Sequence, residues 1–588
     1  MSDFTAYQEV SGFRVKLWRG ESACLLGFDV DQPEADFVGF AVEFQEPGDT
    51  GFHTLSNRLN FDYPDAVTGY RNFPTFEAPL QTYRWVHFPW DQKTGTYTYR
   101  VTKMHMPADN QLTKGLSLEL SIELDAVTIP GFLDVGFTRN FASSQAFEDK
   151  KQQYGFGNDI IPADVKQGLE FADHKAAITA KFDIYKWLGF EAYAMLFDFL
   201  DWAINDPTVR IDAMAYDFNE PDVLAKLEAL EGRLRIIIDD SADHGAPDSS
   251  ETKAFLRLQA SAGQNNCHRG HFISLQHNKM LIARRVSDGA PLRVLGGSTN
   301  FSFRGLYIQA NNMYVFTDPG VTQHYADMFE EAFNDMAGFA DSPIAAQWFP
   351  VAGAGHPAVE LSFSPHRDSE LSLKPVGAAM EQATSSVFYS FAFMNQTKTG
   401  AVRKALDHLM QRPIFSYGVV NKDSGMEIHK PNGDVGLVDF AYLAQHAPEP
   451  FKSEWSGGAG INIHNKFVVV DFDQPTATVY TGSSNFAPSG EEANGDHLIS
   501  IQDQRVATAY AIDALLIFDH LNFRDRMRAH DKQKSQPAAA QPETLRLQKP
   551  VAISGAHQPW FAKFYQKDSL REQDRLIFSR QQPTPGQN

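Results

Sequence analysis

Cysteine is almost absent: Cys24 and Cys267 are the only two among 588 residues. Two thiols cannot supply the disulfide framework of a small secreted fold, so the fold must rest on its own apolar cores. Long hydrophobic runs are missing as well. The most apolar stretch, Trp187 to Ile204, is broken by Glu191, Asp198 and Asp201, and nothing reaches the roughly 20 apolar residues of a membrane span. Any membrane contact is therefore expected to be peripheral. The first residues, Met-Ser-Asp-Phe-Thr-Ala, show neither a basic nor an apolar leader region, and a reducing, cytoplasmic setting is the expectation.

Positive charge is also scarce, with 52 Lys and Arg against 73 Asp and Glu and a formal net charge of -21. A protein that grips nucleic acid nonspecifically normally shows a basic footprint, and an acidic surface also repels anionic bilayers. A focused positive pocket inside such a surface remains compatible with this balance. What is plentiful is core material: 43% hydrophobic and 12% aromatic residues describe a folded chain. Its length exceeds one ordinary domain.

The chain carries the same polar pattern twice. His277-Asn278-Lys279 leads through a turn to Gly297-Ser298-Thr299-Asn300, and His464-Asn465-Lys466 leads to Gly482-Ser483-Ser484-Asn485. Aligning Asn300 with Asn485 needs no gap as far as Asp318 and Asp503, and pairs Asn311 with Asp496. In a strand, residues two apart share a face, so His and Lys of each copy project together, as do Ser and Asn. The apolar runs Met280-Leu281-Ile282 and Phe467-Val468-Val469-Val470 read as buried strand, which puts each His-Lys pair near a strand end. The glycines Gly297 and Gly482 permit close backbone approach.

These residues resemble the duplicated H-x-K-x4-D and G-S-x-N motifs of the phospholipase D superfamily in its single-chain, two-motif form, over roughly residues 180 to 525. The second copy is complete, with Asp471 in the acidic position, while the first has Arg284 there. In the family that acid supports the architecture. The resemblance implies two pseudo-twofold repeats, an α/β body of mixed sheets covered by helices, and one shared pocket. It further implies a phosphodiesterase that hydrolyses or transfers a phosphodiester, with a phospholipid as leading substrate. A nuclease acting on DNA or RNA, or a decayed protein that only binds, are the alternatives.

The residue chemistry agrees. One imidazole can attack phosphorus to give a covalent phosphohistidine, and the other can protonate the leaving oxygen and later deprotonate the incoming water or alcohol. Lys279, Lys466, Ser298, Ser483, Asn300 and Asn485 would hold the non-bridging oxygens. On this chemistry neither metal nor cofactor is expected. Asp496 is expected to orient His464 and Asn311 to orient His277, making His277 the less basic ring and the nucleophile and His464 the acid and base. Cys267, His268 and His271 could be mistaken for a metal cluster. No second ligand pair with zinc-site spacing accompanies them, so they are read as structural, with Arg269 and His271 at the pocket mouth. Phe218 and Phe393 are read either as pocket walls or as core.

Residues 1–128 are expected to form an accessory β-sandwich, since Phe13–Trp18, Phe37–Val42 and Gly95–Val101 alternate between turn clusters. Tyr97–Val101 resembles the penultimate strand of a fibronectin type III domain, with a possible tyrosine corner. Residues 129–350 and 351–530 are assigned to the two repeats. Each opens with strand, helix and strand (Val209–Tyr216, Glu220–Leu230 and Leu234–Ile238; Ser386–Phe393, Gly400–Met410 and Ile414–Val420), which suggests largely parallel sheets. Residues 531–545 read as a polar linker. The aromatic segment after it is expected to dock on the catalytic body, with Gln581 to Asn588 loose. Substrate-binding residues beyond the motifs are unknown; the oligomeric state is open, and a monomer is compatible with it.

Overall fold

The computed structural model describes residues 4–62, 72–89, 93–124, 127–140, 144–351, 353, 355–394, 396–412, 414–422, 425–429, 435–438, 462–534 and 546–581. The linker beyond Lys534 and the residues after Gln581 lie outside them.

The N-terminal part is a sandwich of two four-stranded antiparallel sheets. One runs in the order Thr5–Val10, Phe13–Gly20, Ala23–Val30, Arg84–His87, and the other Thr113–Leu124, Gly95–His105, Phe37–Gln45, His53–Thr54. The period-two pattern explains it: in Thr113–Leu124, residues Leu118, Leu120, Ile122 and Leu124 are buried and those between them exposed. These side chains meet Val15, Leu17, Phe28, Phe40, Tyr97 and Tyr99 in one core. Tyr97 and Tyr99 are thus core residues, and the Tyr99 hydroxyl bonds the His87 ring at 2.8 Å. The fibronectin type III likeness stays an expectation drawn from one strand.

Each repeat folds its motif strands into a mixed sheet. The first runs Leu133–Phe137, Asn312–Phe316, Pro291–Gly297, Met280–Arg285, Val209–Ala215, Leu234–Ile238, Cys267–Arg269. The second holds the equivalent strands His497–Gln502, Thr478–Gly482, Lys466–Val470, Ser386–Phe391 and Phe415–Lys422 in the same relative order. The expectation of largely parallel sheets is corrected. Parallel pairing is confined to the strand-helix-strand openings and the neighbouring Cys267–Arg269, and the other pairs are antiparallel, because each catalytic hairpin folds back on itself.

The long helix Gln504–Lys534 runs into the range expected to be linker. Its Tyr510 packs against Phe137 of the first sheet and Phe467 of the second, with ring centroids 5.1 Å apart in both cases. No helix among the described residues is long and apolar enough to cross a membrane.

The C-terminal aromatic segment docks on the catalytic body only in part, and its first aromatics go to the sandwich instead. Trp560, Phe561, Phe564 and Tyr565 pack on the sandwich core, while Phe578 lies between the sandwich and the second repeat. There its carbonyl accepts the Trp18 indole N–H at 2.8 Å, and its ring meets Phe415 and Phe472 at 5.7 Å. Asp574 beside it accepts from Arg84 and from the Tyr417 hydroxyl, both at 3.0 Å. The reason is the outer face of the sandwich: Lys16 and Trp18 alternate with the core residues Val15 and Leu17, and that face needs a cover. Phe578 is fully buried, so Phe578→Ala is expected to cost about 3–5 kcal/mol. Calorimetry should show an earlier transition, and an unchanged thermogram would make the segment a bystander.

Candidate active site

The two motif copies meet across the boundary between the repeats, and backbone pairing puts them there. The segment before each motif histidine forms an isolated parallel bridge with the other repeat, Gln276 with Gly495 and Ala310 with Ile463. The His277 N–H donates to the Gly495 carbonyl at 3.0 Å, and the His464 N–H donates to the Ala310 carbonyl at 2.9 Å. Each histidine is therefore held beside the residue that follows that carbonyl, Asp496 or Asn311, in the opposite repeat.

This exchange overturns the expected partnership. Asp496 serves His277, whose Nδ1–H donates to Asp496 Oδ1 at 2.7 Å. Asn311 serves His464, whose Nδ1–H is shared between Asn311 Oδ1 at 3.0 Å and the Ser298 carbonyl at 3.1 Å. The Asn311 amide is oriented by its own Nδ2–H, which donates to the Gly305 carbonyl at 2.9 Å. Both tautomers leave Nε2 for the substrate. The expected order of basicity reverses with the partners. Burial and the Lys279 charge push His277 down to about 4 against the pull of Asp496. Burial and the two lysines push His464 well down, with no carboxylate to oppose them.

The serines also differ from expectation. Ser483 Oγ–H donates to Asp496 Oδ1 at 2.7 Å, and Ser298 Oγ is 2.8 Å from Asn311 Oδ1 and 2.9 Å from Asn312 Oδ1. A hydroxyl has one proton, so Ser298 and Ser483 buttress the histidine partners and have no proton left for a phosphate. Asn300 and Asn485 behave otherwise: among the described residues their buried amide oxygens have no partner, and their Nδ2–H groups are the donors an anion could take. A Cβ on Gly297 or Gly482 would meet the Asn312 or His497 carbonyl at 2.5 or 2.2 Å, and both have positive φ, which explains the glycine of each motif.

Lys279 and Lys466 are buried, and Lys466 Nζ donates to the His464 carbonyl at 2.8 Å. Burial pulls Lys279 down to about 7 and Lys466 well below its ordinary value. Four basic groups crowd together with Asp496 as a counterion, itself held ionised by His277 and Lys279 against the cost of its burial. An arriving anion would relieve that crowding and raise all four.

The remaining sequence candidates separate cleanly. Asp471 accepts the backbone N–H groups of Thr384, Ser385 and Ser386, and Arg284, in its place in the first copy, joins Asp212, Glu330 and Arg235. Both are architecture. Phe218 is fully buried core, whereas Phe393 lies 6.3 Å edge-on from the His464 ring. His268 stacks on Phe333, and His271 bonds Asp240. The Arg269 guanidinium donates to the His244 carbonyl at 2.7 Å.

Sequence reasoning missed Tyr216, edge-on to His277 at 4.8 Å and beneath Lys279 Nζ at 4.7 Å. It also gave no role to the asparagine repeated inside both motifs. Asn278 Oδ1 accepts from His497 Nδ1 at 2.7 Å, and Asn465 Nδ2 donates to Asp513 at 3.0 Å. Its recurrence in both copies was the available signal.

Residues 200–333 match the protein family described as cardiolipin synthase, PLD-like domain. Residues 200–333 are thus similar to a phospholipase D-like domain. None of the curated protein sequences matches it. Among solved structures, the chain resembles the polyphosphate kinase of Porphyromonas gingivalis (11% identity, 56% of this chain and 44% of that one, TM-score 0.34). It also resembles the phosphatidylserine synthase of Haemophilus influenzae (9%, 56% and 83%, TM-score 0.39). A third likeness is to the phospholipase D family member Nuc of Salmonella typhimurium (22%, 23% and 86%, TM-score 0.19).

The swapped partners generate a prediction. Asn311→Asp gives His464 a carboxylate within hydrogen-bonding reach, and an opposite charge favours the imidazolium. His464 should titrate at higher pH than in the wild type, read from its ring resonances by NMR. A shift confined to His277 would contradict the exchange of partners.

Proposed function

We propose that the protein is a phosphodiesterase of the phospholipase D type, working through a covalent phosphohistidine on His277. The observation that supports it most is the unequal outfitting of two facing imidazoles, one backed by a carboxylate and one by an amide and a carbonyl. Neutral His277 presents the Nε2 lone pair, and when that nitrogen bonds phosphorus the ring becomes cationic and Asp496 stabilises it. The role expected for His277 is kept, for the opposite physical reason.

The P–O bond to the leaving group breaks as the P–N bond forms, and His464 Nε2–H gives its proton to the departing oxygen. Water, or an alcohol in transfer, then loses a proton to His464 and attacks phosphorus, and the P–N bond breaks. Lys279, Lys466 and the amides of Asn300 and Asn485 oppose the charge on the non-bridging oxygens. His464 is neutral in the empty pocket and must gain its proton when the phosphodiester anion raises its pKa. Binding should therefore take up protons at pH 7. Phospholipid in a neutral or zwitterionic surface is the favoured substrate, since the charge of -21 disfavours both a broad nucleic-acid footprint and an anionic bilayer.

His277→Ala and His464→Ala are each expected to lower kcat about 10³-fold or more, with the double variant little worse, as for residues acting as a unit. Retention of a tenth of the wild-type rate by either would refute the shared pocket. Acid-quenched turnover should leave phosphate on His277; label on His464 would reverse the roles. Hydrolysis of bis(p-nitrophenyl) phosphate should survive excess EDTA, because lysines supply the positive charge. Parallel assays with phospholipid vesicles and single-stranded DNA decide the substrate class, and faster cleavage of DNA would overturn the lipid reading.

A further inference from the structure

Beside the phosphate pocket, on the far side of Tyr216, lies a second cluster that the reaction above does not use. Asp217, His244 and Glu251 each place one ligand atom within 4.8 Å of the others. We propose that these three residues bind one divalent transition ion of the Zn²⁺ class.

The donor set is mixed, one imidazole nitrogen and two carboxylates, and a contraction of under about 1 Å brings the three onto one ion at bonds of about 2.0–2.2 Å. The imidazole is already oriented for it. His244 Nδ1–H donates to Asp239 Oδ2 at 2.9 Å, which directs Nε2 toward Glu251 Oε1, 3.9 Å away. Asp239 is fully buried and is itself held by the Ser241 N–H at 3.0 Å and the Gln276 N–H at 2.7 Å. A carboxylate on the far nitrogen of a ligating histidine is the usual support of a metal site.

Glu251 supplies a separate argument. It is only 4% exposed, it accepts the Phe218 N–H at 2.9 Å, and among the described residues its one ion-pair partner is His244. Among the described residues neither carboxylate of the cluster forms an ion pair with a Lys or Arg, and a divalent cation would neutralise both. The imidazole favours Zn²⁺, Co²⁺ or Ni²⁺ over Mg²⁺ or Ca²⁺.

The position links the ion to the pocket. Tyr216 stands between the two sites, its ring 4.7 Å from that of His244 and 4.8 Å from that of His277. Asp239 holds both His244 and the backbone N–H of the residue before His277. Three protein ligands leave a coordination position open, which would take a second anionic group of the substrate. That role rests on the phosphodiesterase reading; the binding itself does not.

The test is equilibrium dialysis of the full chain against Zn²⁺ and against Co²⁺, with His277→Ala alongside. One equivalent is expected in both proteins, with a visible Co²⁺ absorption band. His244→Ala and Glu251→Gln should each lower metal affinity at least about tenfold, and Asp239→Asn about 10–100-fold, with the near-UV circular dichroism unchanged. No bound metal in the wild type, or a full equivalent kept by both ligand variants, overturns the site. Zn²⁺ should lower KM for a phosphodiester that bears a second phosphate and leave that for bis(p-nitrophenyl) phosphate alone. Equal effects on the two substrates would remove the substrate-holding role. Binding by inactive His277→Ala separates failure of the site from failure of the reaction.

Discussion

Two backbone hydrogen bonds, His277 N–H to the Gly495 carbonyl and His464 N–H to the Ala310 carbonyl, are what the arrangement of the two motifs depends on. Each repeat alone has a strand end carrying His and Lys, but the acceptor that orients its imidazole belongs to the other. The crossing admits little variation. A Cβ on Gly495 would meet the Phe272 ring at 2.0 Å, so glycine is required where the chain passes closest. Because the bridges are reciprocal, one approximate twofold relation sets both histidines, and a change in repeat packing would move both together.

The electrostatics follow from that geometry. Desolvation depresses all four of the buried groups, two histidines and two lysines, and the neighbouring lysines add to the effect at His277, His464 and Lys466. The sign for stability is clear for His277. Its folded pKa is about 4 against an ordinary 6.5, so the stability from keeping it neutral is complete above the ordinary value and is lost as pH falls through 6.5 toward 4. Asp496, depressed by the same pairing, loses its contribution in the same direction. A pocket of this kind is under tension when empty, and an anion relieves it.

The periphery keeps the two repeats in register. Tyr510 of the long C-terminal helix touches both sheets, and its hydroxyl accepts from Asn312 at 2.8 Å, one residue beyond the amide that serves His464. The segment around Phe578 wedges the sandwich against the second repeat. The sandwich is thus joined to the catalytic body through buried aromatic contacts and the Arg84, Asp574 and Tyr417 group, as interfaces with fixed geometry are.

The duplicated motifs, the strand-helix-strand openings and the alternating strands of the sandwich were legible in the amino-acid order, because periodicity and spacing are local properties. So was the place of His277, Lys279, His464 and Lys466 at the entrance to a buried strand, and the architectural role of the motif position held by Asp471 and Arg284. What serves what was not legible. An in-register comparison of the copies pairs Asp496 with Asn311, and assigning each to the histidine of its own copy ignores that a twofold axis exchanges partners between halves. The serine hydroxyls pointed to phosphate in the sequence, and only the packed structure spends their protons on Asp496 and Asn311. Tyr216, the His244 cluster and the docking of Phe578 on Trp18 likewise join residues distant along the chain, and contacts of that kind exist only once the strands have packed.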